Sequence, residues 1–303
     1  MRENDISGSI PPRIKVRGIL ETVMKIWAHT LVKNEERYLW FAVRGIIDFV
    51  DKVLLWDTGS TDRTLEIIKE LKKRYPLKIE FKQVGNVTPE GFTEVSQQML
   101  DKTDADWFIV VDGDEVWWDE SIKWVAETIK KKGNELELIV NPVVNCVGDI
   151  YHYQEEAAGN YQIDGRRGHM NIRAVNCKIP GLHFEKPHGT RGLYDADGML
   201  IQERPHSRRL FLNDAPLMHF TNLIRSSNRG KDLLVPKRDI KLKYELGTPF
   251  QKDFFYPEAF FRERPKIIPS PWKKMNAAFC LRALVETPPR RIKRRLFKSR
   301  TGY

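Results

Sequence analysis

Apolar and polar positions follow two different periods along the first half of the chain. Short apolar runs at 26–32, 52–56 and 107–111 are rich in β-branched and aromatic residues, which is typical of buried strands. After the second run, Leu65, Ile68 and Leu71 recur at helical spacing, as do Ile122, Val125 and Ile129 after the third. Strands that alternate with helices favour a mostly parallel, Rossmann-like sheet flanked by helices. The pattern therefore predicts an α/β fold.

Each predicted strand runs into a polar loop. These loops begin with Lys33-Asn34-Glu35, Asp57-Thr58-Gly59 and Asp112-Gly113-Asp114. Because the carboxyl ends of parallel strands meet at one edge of a sheet, we expect the three loops to form a ligand-binding edge. Closely spaced carboxylates there suit Mg²⁺ or Mn²⁺, which prefer oxygen ligands. Taken alone, Asp112 to Asp114 could also be a solvated Asp-Gly turn.

In this order and at these separations, the three loops resemble the nucleotide-sugar half of the inverting family 2 glycosyltransferases, which have the GT-A fold. The resemblance covers residues 27–143 well and continues more loosely to about residue 247. It implies a metal-dependent, inverting hexosyltransferase that moves a sugar from a UDP- or GDP-sugar to a hydroxyl group. A glycan, a glycolipid or a protein is the implied acceptor, with a role in cell-surface glycan or glycolipid synthesis.

The resemblance assigns the nucleotide contacts to the first two loops. It implies that Asp57 contacts the nucleotide base, and that Lys33, Asn34 and Glu35 lie in the loop beside the base and the ribose. The family's Arg-Asn pair in the helix before the third strand is absent, since residues 94–98 read Glu-Val-Ser-Gln-Gln. That donor contact is therefore left open.

The resemblance assigns the metal and the diphosphate to the third loop. It implies that Asp112 faces the ribose or a metal-bound water, that Gly113 belongs to the same donor-binding loop, and that Asp114 binds Mn²⁺ or Mg²⁺. His219, at the end of a short apolar run, would complete the metal site, because neutral imidazole can be a metal ligand. A histidine on a half-buried strand is the alternative.

An inverting transferase also needs a general base for the acceptor hydroxyl. The resemblance assigns this role to Glu185, with His183 as a supporting group, although Phe184 separates two residues that are usually adjacent. A structural ion pair is the alternative for these two side chains. The basic residues at 225–238 could form a lid over the diphosphate or a solvated helix face.

Composition and segment order favour one catalytic domain with appendages. At 303 residues the chain can bury one large core. We expect an arm at 1–21, a GT-A domain at 22–247 and an appendage at 248–303, with the GT-A domain divided into a nucleotide-sugar half at 22–143 and an irregular acceptor half at 144–247. No run approaches the ~20 apolar residues that span a bilayer. The three dispersed cysteines favour reduced thiols in the cytoplasm.

Positive charge is concentrated at the C-terminal end. The formal net charge is +10, and seven basic residues without an acid lie at 288–303. This helical or basic tail could bind anionic lipid peripherally on the inner face of the membrane, bind nucleic acid nonspecifically, or be a solvated, disordered end. We expect no specific nucleic-acid partner. The segment 267–284 has the pattern either of an interfacial helix or of a helix packed on the body.

Two other functions share some of these features. A sugar nucleotidyltransferase would have the same sheet and paired aspartates, but it needs a glycine-rich phosphate loop with a basic residue near the first strand, and Lys33-Asn34-Glu35-Glu36 is not such a loop. A noncatalytic carbohydrate- or nucleic-acid-binding protein would account for the eight tryptophans and the basic tail. Carboxylates at the sheet edge disfavour this second alternative, because they repel phosphate unless a cation intervenes.

Overall fold

A computed structural model describes residues 24–227 and 229–296 of the chain. Within these ranges, the strands in chain order are β1 (Ile26–Val32), β2 (Lys52–Asp57), β3 (Ile79–Gln83), β4 (Trp107–Val110), β5 (Glu115–Trp117), β6 (Leu138–Val147), β7 (Asp149–Tyr153), β8 (Tyr161–Ile163), β9 (Arg166–Gly168), β10 (Met170–Asn176), β11 (His183–Glu185), β12 (Gly192–Tyr194), β13 (Arg209–Phe211), β14 (Leu217–His219) and β15 (Thr248–Pro249). The α-helices are α1 (Leu39–Ile46), α2 (Thr64–Arg74), α3 (Pro89–Asp101), α4 (Asp119–Lys132), α5 (Arg229–Leu233), α6 (Arg238–Lys241) and α7 (Ala277–Leu296). Short 3₁₀ turns lie at Glu156–Ala158, Ile201–Glu203, His206–Arg208 and Glu258–Phe260.

The first four strands form the parallel part of the sheet, in the order β4-β1-β2-β3. Helices α1, α2 and α3 connect them, which confirms the predicted α/β class. Strands β1, β2 and β4 are largely buried on both faces, and α1 is buried along its whole length. The carboxyl ends of β1, β2 and β4 lie side by side, with Val32 opposite Asp57 in the register.

Antiparallel strands extend the sheet beyond β4. Strand β10 pairs with β4 on one side and with β6 on the other, and β7 and β15 continue from β6. Strand β14 lies between β5 and β6, which brings the end of the predicted histidine strand against the loop after β4. The predicted division at residue 143 falls inside β6. Two small ribbons, β8-β9 and β11-β12, stand apart from the main sheet.

The C-terminal segment packs on the body. Ile267 and Trp272 contact the main core, and helix α7 follows. Arg294 of α7 forms an ion pair with the buried Glu245, with Nη1 2.5 Å from Oε1. The alternative of a disordered end is therefore wrong up to Leu296, because the residues there are helical and some of the basic ones are ion-paired, although Lys293 and Arg295 are exposed. Residues 297–303 and the predicted arm at 1–21 lie outside the described residues. Among the described helices, none is long and apolar enough to cross a membrane.

Candidate active site

Asn34 joins the loops that follow β1 and β2. Its backbone has a φ of 54°, a left-handed conformation that Asn adopts more readily than most residues, and its side chain is buried. The Oδ1 atom accepts a hydrogen bond from the N–H of Thr61 at 2.7 Å, and Nδ2 donates to the carbonyl of Lys231 at 2.9 Å. Asn34 thus fixes the shape of the predicted nucleotide edge from within.

Asp57 closes the turn at the end of β2. The buried Oδ2 accepts hydrogen bonds from the N–H groups of Gly59 at 2.9 Å and Ser60 at 3.0 Å. Gly59 has a φ of 87°, and a Cβ on it would lie 2.4 Å from Oδ1 of Asn86, so only glycine fits there. Lys33 Nζ donates to that same Oδ1 at 2.9 Å. Lys33 and Asp57 therefore lie at one edge, as predicted for neighbouring strand ends, and their contacts to a nucleotide stay a prediction.

The loop Asp112 to Asp114 packs tightly against Glu35. A Cβ on Gly113 would lie 2.8 Å from Cγ of Glu35, so the close approach of the two loops needs a glycine. The Asp112 side chain is 46% exposed, with Oδ2 3.5 Å from Nη2 of Arg173. Asp114 is buried instead: its Oδ2 lies 2.5 Å from Nη1 of Arg225. The two aspartates of the loop thus face different surroundings.

Asp112, Glu115 and His219 form a group that could hold a divalent cation, and one ligand atom from each lies within 4.8 Å of the others. Glu115 and His219 are opposite each other in the β5-β14 register. Two carboxylates and one imidazole are ligands that Mn²⁺ and Mg²⁺ accept, so the donor set fits the metal that the fold implies. The predicted set contained Asp112, Asp114 and His219, and Nε2 of His219 lies 3.3 Å from Oδ2 of Asp114. Glu115 was not part of that predicted set, because a buried glutamate in a strand resembles any other strand residue in sequence.

The three buried carboxyls of this region have perturbed pKa values. Burial would raise the pKa of Asp114, but Arg225 and His219 hold it well below its usual range. Burial raises the pKa of Glu115 well above its usual value, although Arg173, with which it forms an ion pair, opposes the rise. Burial likewise raises the pKa of Glu35 to about 8, against the opposing charges of two arginines.

The two arginines beside Glu35 come from the basic stretch after β14. Arg225 Nη1 lies 3.2 Å and Arg238 Nη2 lies 2.5 Å from Oε1 of Glu35. Arg238 also pairs with Asp232 at 3.0 Å and donates to the carbonyl of Asn34 at 2.6 Å. The solvated-face alternative is therefore wrong for these two arginines, which are buried. Sequence reasoning missed their role, since about 200 residues separate them from Glu35.

Other positive charges lie over the same edge. Burial, together with the charges of Arg191, Lys241 and Lys237, lowers the pKa of His188 to about 4, whereas nearby Asp112 acts in the opposite direction. A Cβ on Gly189 would lie 1.9 Å from Nζ of Lys237, so the loop after β11 contacts the basic stretch. Arg191, Lys237 and Lys241, here called the basic rim, thus act on the same histidine as Asp112 of the acidic group Asp112, Glu115 and His219.

Glu185, the predicted general base, lies on the ribbon β11-β12. Its side chain is 53% exposed, and Oε2 is 3.7 Å from Nε2 of His183. The N–H of Phe184 donates to Oε1 of Gln97 at 2.7 Å, which attaches the ribbon to α3. The structure thus places His183 and Glu185 as neighbours with an accessible carboxylate. The catalytic role of Glu185 stays a prediction.

Comparison with known proteins identifies one matching family. A family model described as glycosyl transferase family 2 matches residues 29–189, which include Asp57, Asp112, Asp114 and Glu185 but not His219. No curated protein sequence matches the chain significantly.

Several solved structures are similar. S. aureus TarS 1–349 in complex with UDP-GlcNAc has 15% identity and a TM-score of 0.46, over 90% of this chain and 76% of that one. Glucosyl-3-phosphoglycerate synthase from Mycobacterium tuberculosis, in complex with Mn²⁺, UDP-glucose and phosphoglyceric acid, has 14% identity and a TM-score of 0.42, over 65% and 72%. The mannosyltransferase PcManGT from Pyrobaculum calidifontis, in complex with GDP-Man and Mn²⁺, has 16% identity and a TM-score of 0.41, over 70% and 59%.

Proposed function

Because the chain belongs to glycosyl transferase family 2, we propose that it is a metal-dependent, inverting hexosyltransferase that uses a nucleoside-diphosphate sugar. The observation that carries this proposal is the group of Asp112, Glu115 and His219, whose ligand atoms lie within 4.8 Å of one another. The group lies where the parallel strands end, beside the loops that hold Asp57 and Asn34. Ligands of α/β sheets bind at such an edge.

The donor nucleotide occupies the edge formed by the loops after β1 and β2. Asp57 supplies a carboxylate for a base N–H, and Lys33 to Glu35 line the base and the ribose. The turn is already closed by hydrogen bonds from Gly59 and Ser60 to Asp57, so little conformational entropy is lost when a ligand binds. We propose UDP or GDP as the nucleotide part.

The diphosphate lies between the acidic group and the basic rim. Asp112 and His219 would hold Mn²⁺ or Mg²⁺ together with Glu115 or with Asp114, and such an ion stabilises the negative charge that develops on a leaving diphosphate. Lys237 and Lys241, whose positive charges act on His188 near Asp112, favour the same negative charge. Repulsion between carboxylates and phosphates is thereby offset.

The proposed sugar transfer is a single displacement at the anomeric carbon of the donor. The oxygen of the acceptor hydroxyl forms a bond to the anomeric carbon, while the bond from that carbon to the diphosphate oxygen breaks. The diphosphate leaves with the electron pair, and the hydroxyl proton passes to the carboxylate of Glu185. Attack from the face opposite the diphosphate inverts the configuration. The acceptor is a glycan, a glycolipid or a protein, and we propose a role in cell-surface glycan or glycolipid synthesis.

A thermal-shift panel tests the donor and metal assignments. UDP and GDP at 100 times their dissociation constants should stabilise the protein by about 2.7 kcal/mol, because they bind only the folded state. We expect this effect with Mn²⁺ or Mg²⁺ and not with a chelator. His219→Ala should abolish the stabilisation that depends on the metal. Asp104→Asn should retain it, because this substitution changes a carboxylate that is 85% exposed in the loop before β4. Equal stabilisation with the chelator present would refute the metal assignment, and no stabilisation by either nucleotide would refute the donor assignment.

The anomer released by slow donor hydrolysis tests the inverting mechanism. Water then takes the place of the acceptor, and an α-linked donor should initially release the β-sugar, as seen by NMR. Initial release of the α-sugar would show retention and exclude the single displacement proposed for Glu185.

Helix α7 supports a peripheral contact with anionic lipid. Val285, which is 76% exposed, and Ile292, which is 57% exposed, lie on the side away from the body, and Lys293 and Arg295 are exposed beside them. Exposed apolar and basic side chains on one helix are typical of interfacial binding, with about 1 kcal/mol for each basic residue near the surface. The anionic leaflet faces the cytoplasm, so we propose that the enzyme works there.

Vesicle co-sedimentation tests this contact. The protein should bind vesicles that contain phosphatidylserine and not vesicles of phosphatidylcholine alone, and salt should weaken the binding. Val285→Asp combined with Ile292→Asp should remove it. Leu77→Asp is the matched control, because Leu77 is 93% exposed elsewhere on the surface. Binding that survives the double substitution would exclude α7 as the contact.

A further inference from the structure

A cavity lies beside the group of Asp112, Glu115 and His219, here called the metal group. It is at the carboxyl end of β6. Its volume is about 510 Å³, which is within the range of small-molecule sites. Aromatic side chains form one part of its lining and polar side chains another. Its principal members are Tyr153, Phe250, Phe254, Asn145, His169 and Glu156.

One row of paired residues connects this cavity to the metal group. His219 on β14 is opposite Glu115 on β5 and opposite Asn145 on β6, so the three side chains lie on the same face. Neighbouring strands are about 4.8 Å apart, which puts Asn145 roughly one strand spacing from His219. Nδ2 of Asn145 lies 2.7 Å from Nδ1 of His169, which extends the polar row into the cavity. A molecule in contact with Asn145 would therefore lie about one strand spacing from the metal group.

The charge of the lining selects among acceptors. Glu156 and Asp253 line the cavity, and none of the lining residues in the described part of the chain is a lysine or an arginine. Burial lowers the pKa of His169, so this histidine is not a strong source of positive charge. A phosphate or a carboxylate in contact with this lining would meet the like charges of Glu156 and Asp253, with no lysine or arginine among the described lining residues to balance them.

The remaining lining suits a sugar ring. Tyr153 and Phe250 have ring centroids 5.0 Å apart, Phe250 and Phe254 have centroids 3.9 Å apart, and all three rings are partly exposed. Aromatic rings bury apolar C–H surface, while the amides of Asn145 and Gln154 can bond hydroxyl groups.

We propose that this cavity is the acceptor subsite and that it takes a neutral, hydroxyl-rich saccharide rather than a phosphorylated or carboxylated one. The inference rests on the proposed function, because it is the donor site beside His219 that makes the occupant an acceptor. Among glycan, glycolipid and protein acceptors, the lining therefore favours those whose reacting hydroxyl belongs to a neutral sugar.

Saturation-transfer NMR on the full chain with Mg²⁺ and UDP tests the inference. The probes are neutral trisaccharides (cellotriose, maltotriose and N,N′,N″-triacetylchitotriose) and two anionic sugars (glucose 6-phosphate and sialyllactose). We expect saturation transfer to at least one neutral trisaccharide and none to the anionic sugars. Phe250→Ala should weaken the binding of that trisaccharide at least fivefold. Phe255→Ala, in which a neighbouring exposed phenylalanine outside the lining is removed, should leave it unchanged.

UDP affinity, measured by calorimetry in the same samples, separates this inference from the proposed function. Normal UDP binding without binding of any neutral trisaccharide, or with preference for an anionic sugar, would overturn the acceptor assignment alone. Trisaccharide binding that is equal in Phe250→Ala and Phe255→Ala would also overturn it. The protein could also bind a trisaccharide, lose that binding in Phe250→Ala, and bind neither UDP nor GDP. This result would support the cavity as a sugar site and count against the donor site.

Discussion

Replacing Glu35 by glutamine tests whether a carboxyl at the centre of the site is protonated near neutral pH. Glu35, Asp114 and Asp232 are buried, and the arginines that pair with them in the described part of the chain are Arg225 and Arg238. Three carboxyls thus share two guanidinium groups, and one protonated carboxyl balances the charge. Burial raises the pKa of Glu35 to about 8, despite both arginines, which makes it the carboxyl that keeps its proton.

The sign of the pH dependence follows from this raised pKa. The ordinary pKa of the Glu35 carboxyl is 4.5, so in the unfolded chain it loses its proton at lower pH than in the folded protein. Its contribution to stability is fully present below about pH 4.5 and is lost as the pH rises towards 8. One pKa unit corresponds to about 1.4 kcal/mol, which sets an upper limit of about 5 kcal/mol for the loss.

Glutamine has nearly the same shape as a protonated glutamate and does not titrate. We therefore expect Glu35→Gln to be close to the wild type in unfolding free energy at about pH 5, and more stable than it by up to about 5 kcal/mol at about pH 8. Urea denaturation of both proteins at the two pH values measures this difference. Glu66→Gln, at an exposed position of α2, should follow the wild type at both.

A different result would refute the reasoning. If Glu35→Gln is less stable than the wild type by the same amount at both pH values, the carboxylate is ionised throughout and belongs to the arginine pair. The expected cost is then about 3–5 kcal/mol, as for other buried ion pairs that lose one partner.

Three further substitutions test the predicted site residues. Asp114→Asn keeps the shape of the side chain but weakens its pairing with Arg225, so we expect lower thermal stability and loss of the metal-dependent effect of UDP; retained metal dependence would exclude Asp114 as a ligand. Asp57→Ala removes the acceptor for the N–H of Gly59, and calorimetry should show weaker nucleotide binding with the metal dependence intact; unchanged affinity would mean that Asp57 only closes the turn. Glu185→Gln should slow transfer by a factor on the order of 10²–10⁴ without changing UDP binding, and near-normal turnover would place the base elsewhere.

The sequence did not predict that the loop at Gly113 packs tightly against the loop at Glu35. Gly113 could be read as ordinary turn chemistry, but the structure uses it because Glu35 leaves no room for a Cβ, with Cγ at 2.8 Å. The positive φ of Asn34 likewise depends on its bonds to Thr61 and Lys231. Such contacts join segments distant in sequence, and no local pattern encodes them.

The sequence by itself determined the α/β class, the strands β1, β2 and β4, and the polar loops in which they end. These features are local: buried strands need short apolar runs, and parallel strands bring their carboxyl ends to one edge. Tertiary structure alone decided which charges meet there. Arg225 and Arg238 return to Glu35 from about 200 positions away, and His219 joins Asp112 and Glu115 because the pairing of β14 with β5 places it opposite Glu115. Burial makes these contacts important for stability, because a buried charge costs free energy unless another group in the fold pairs with it.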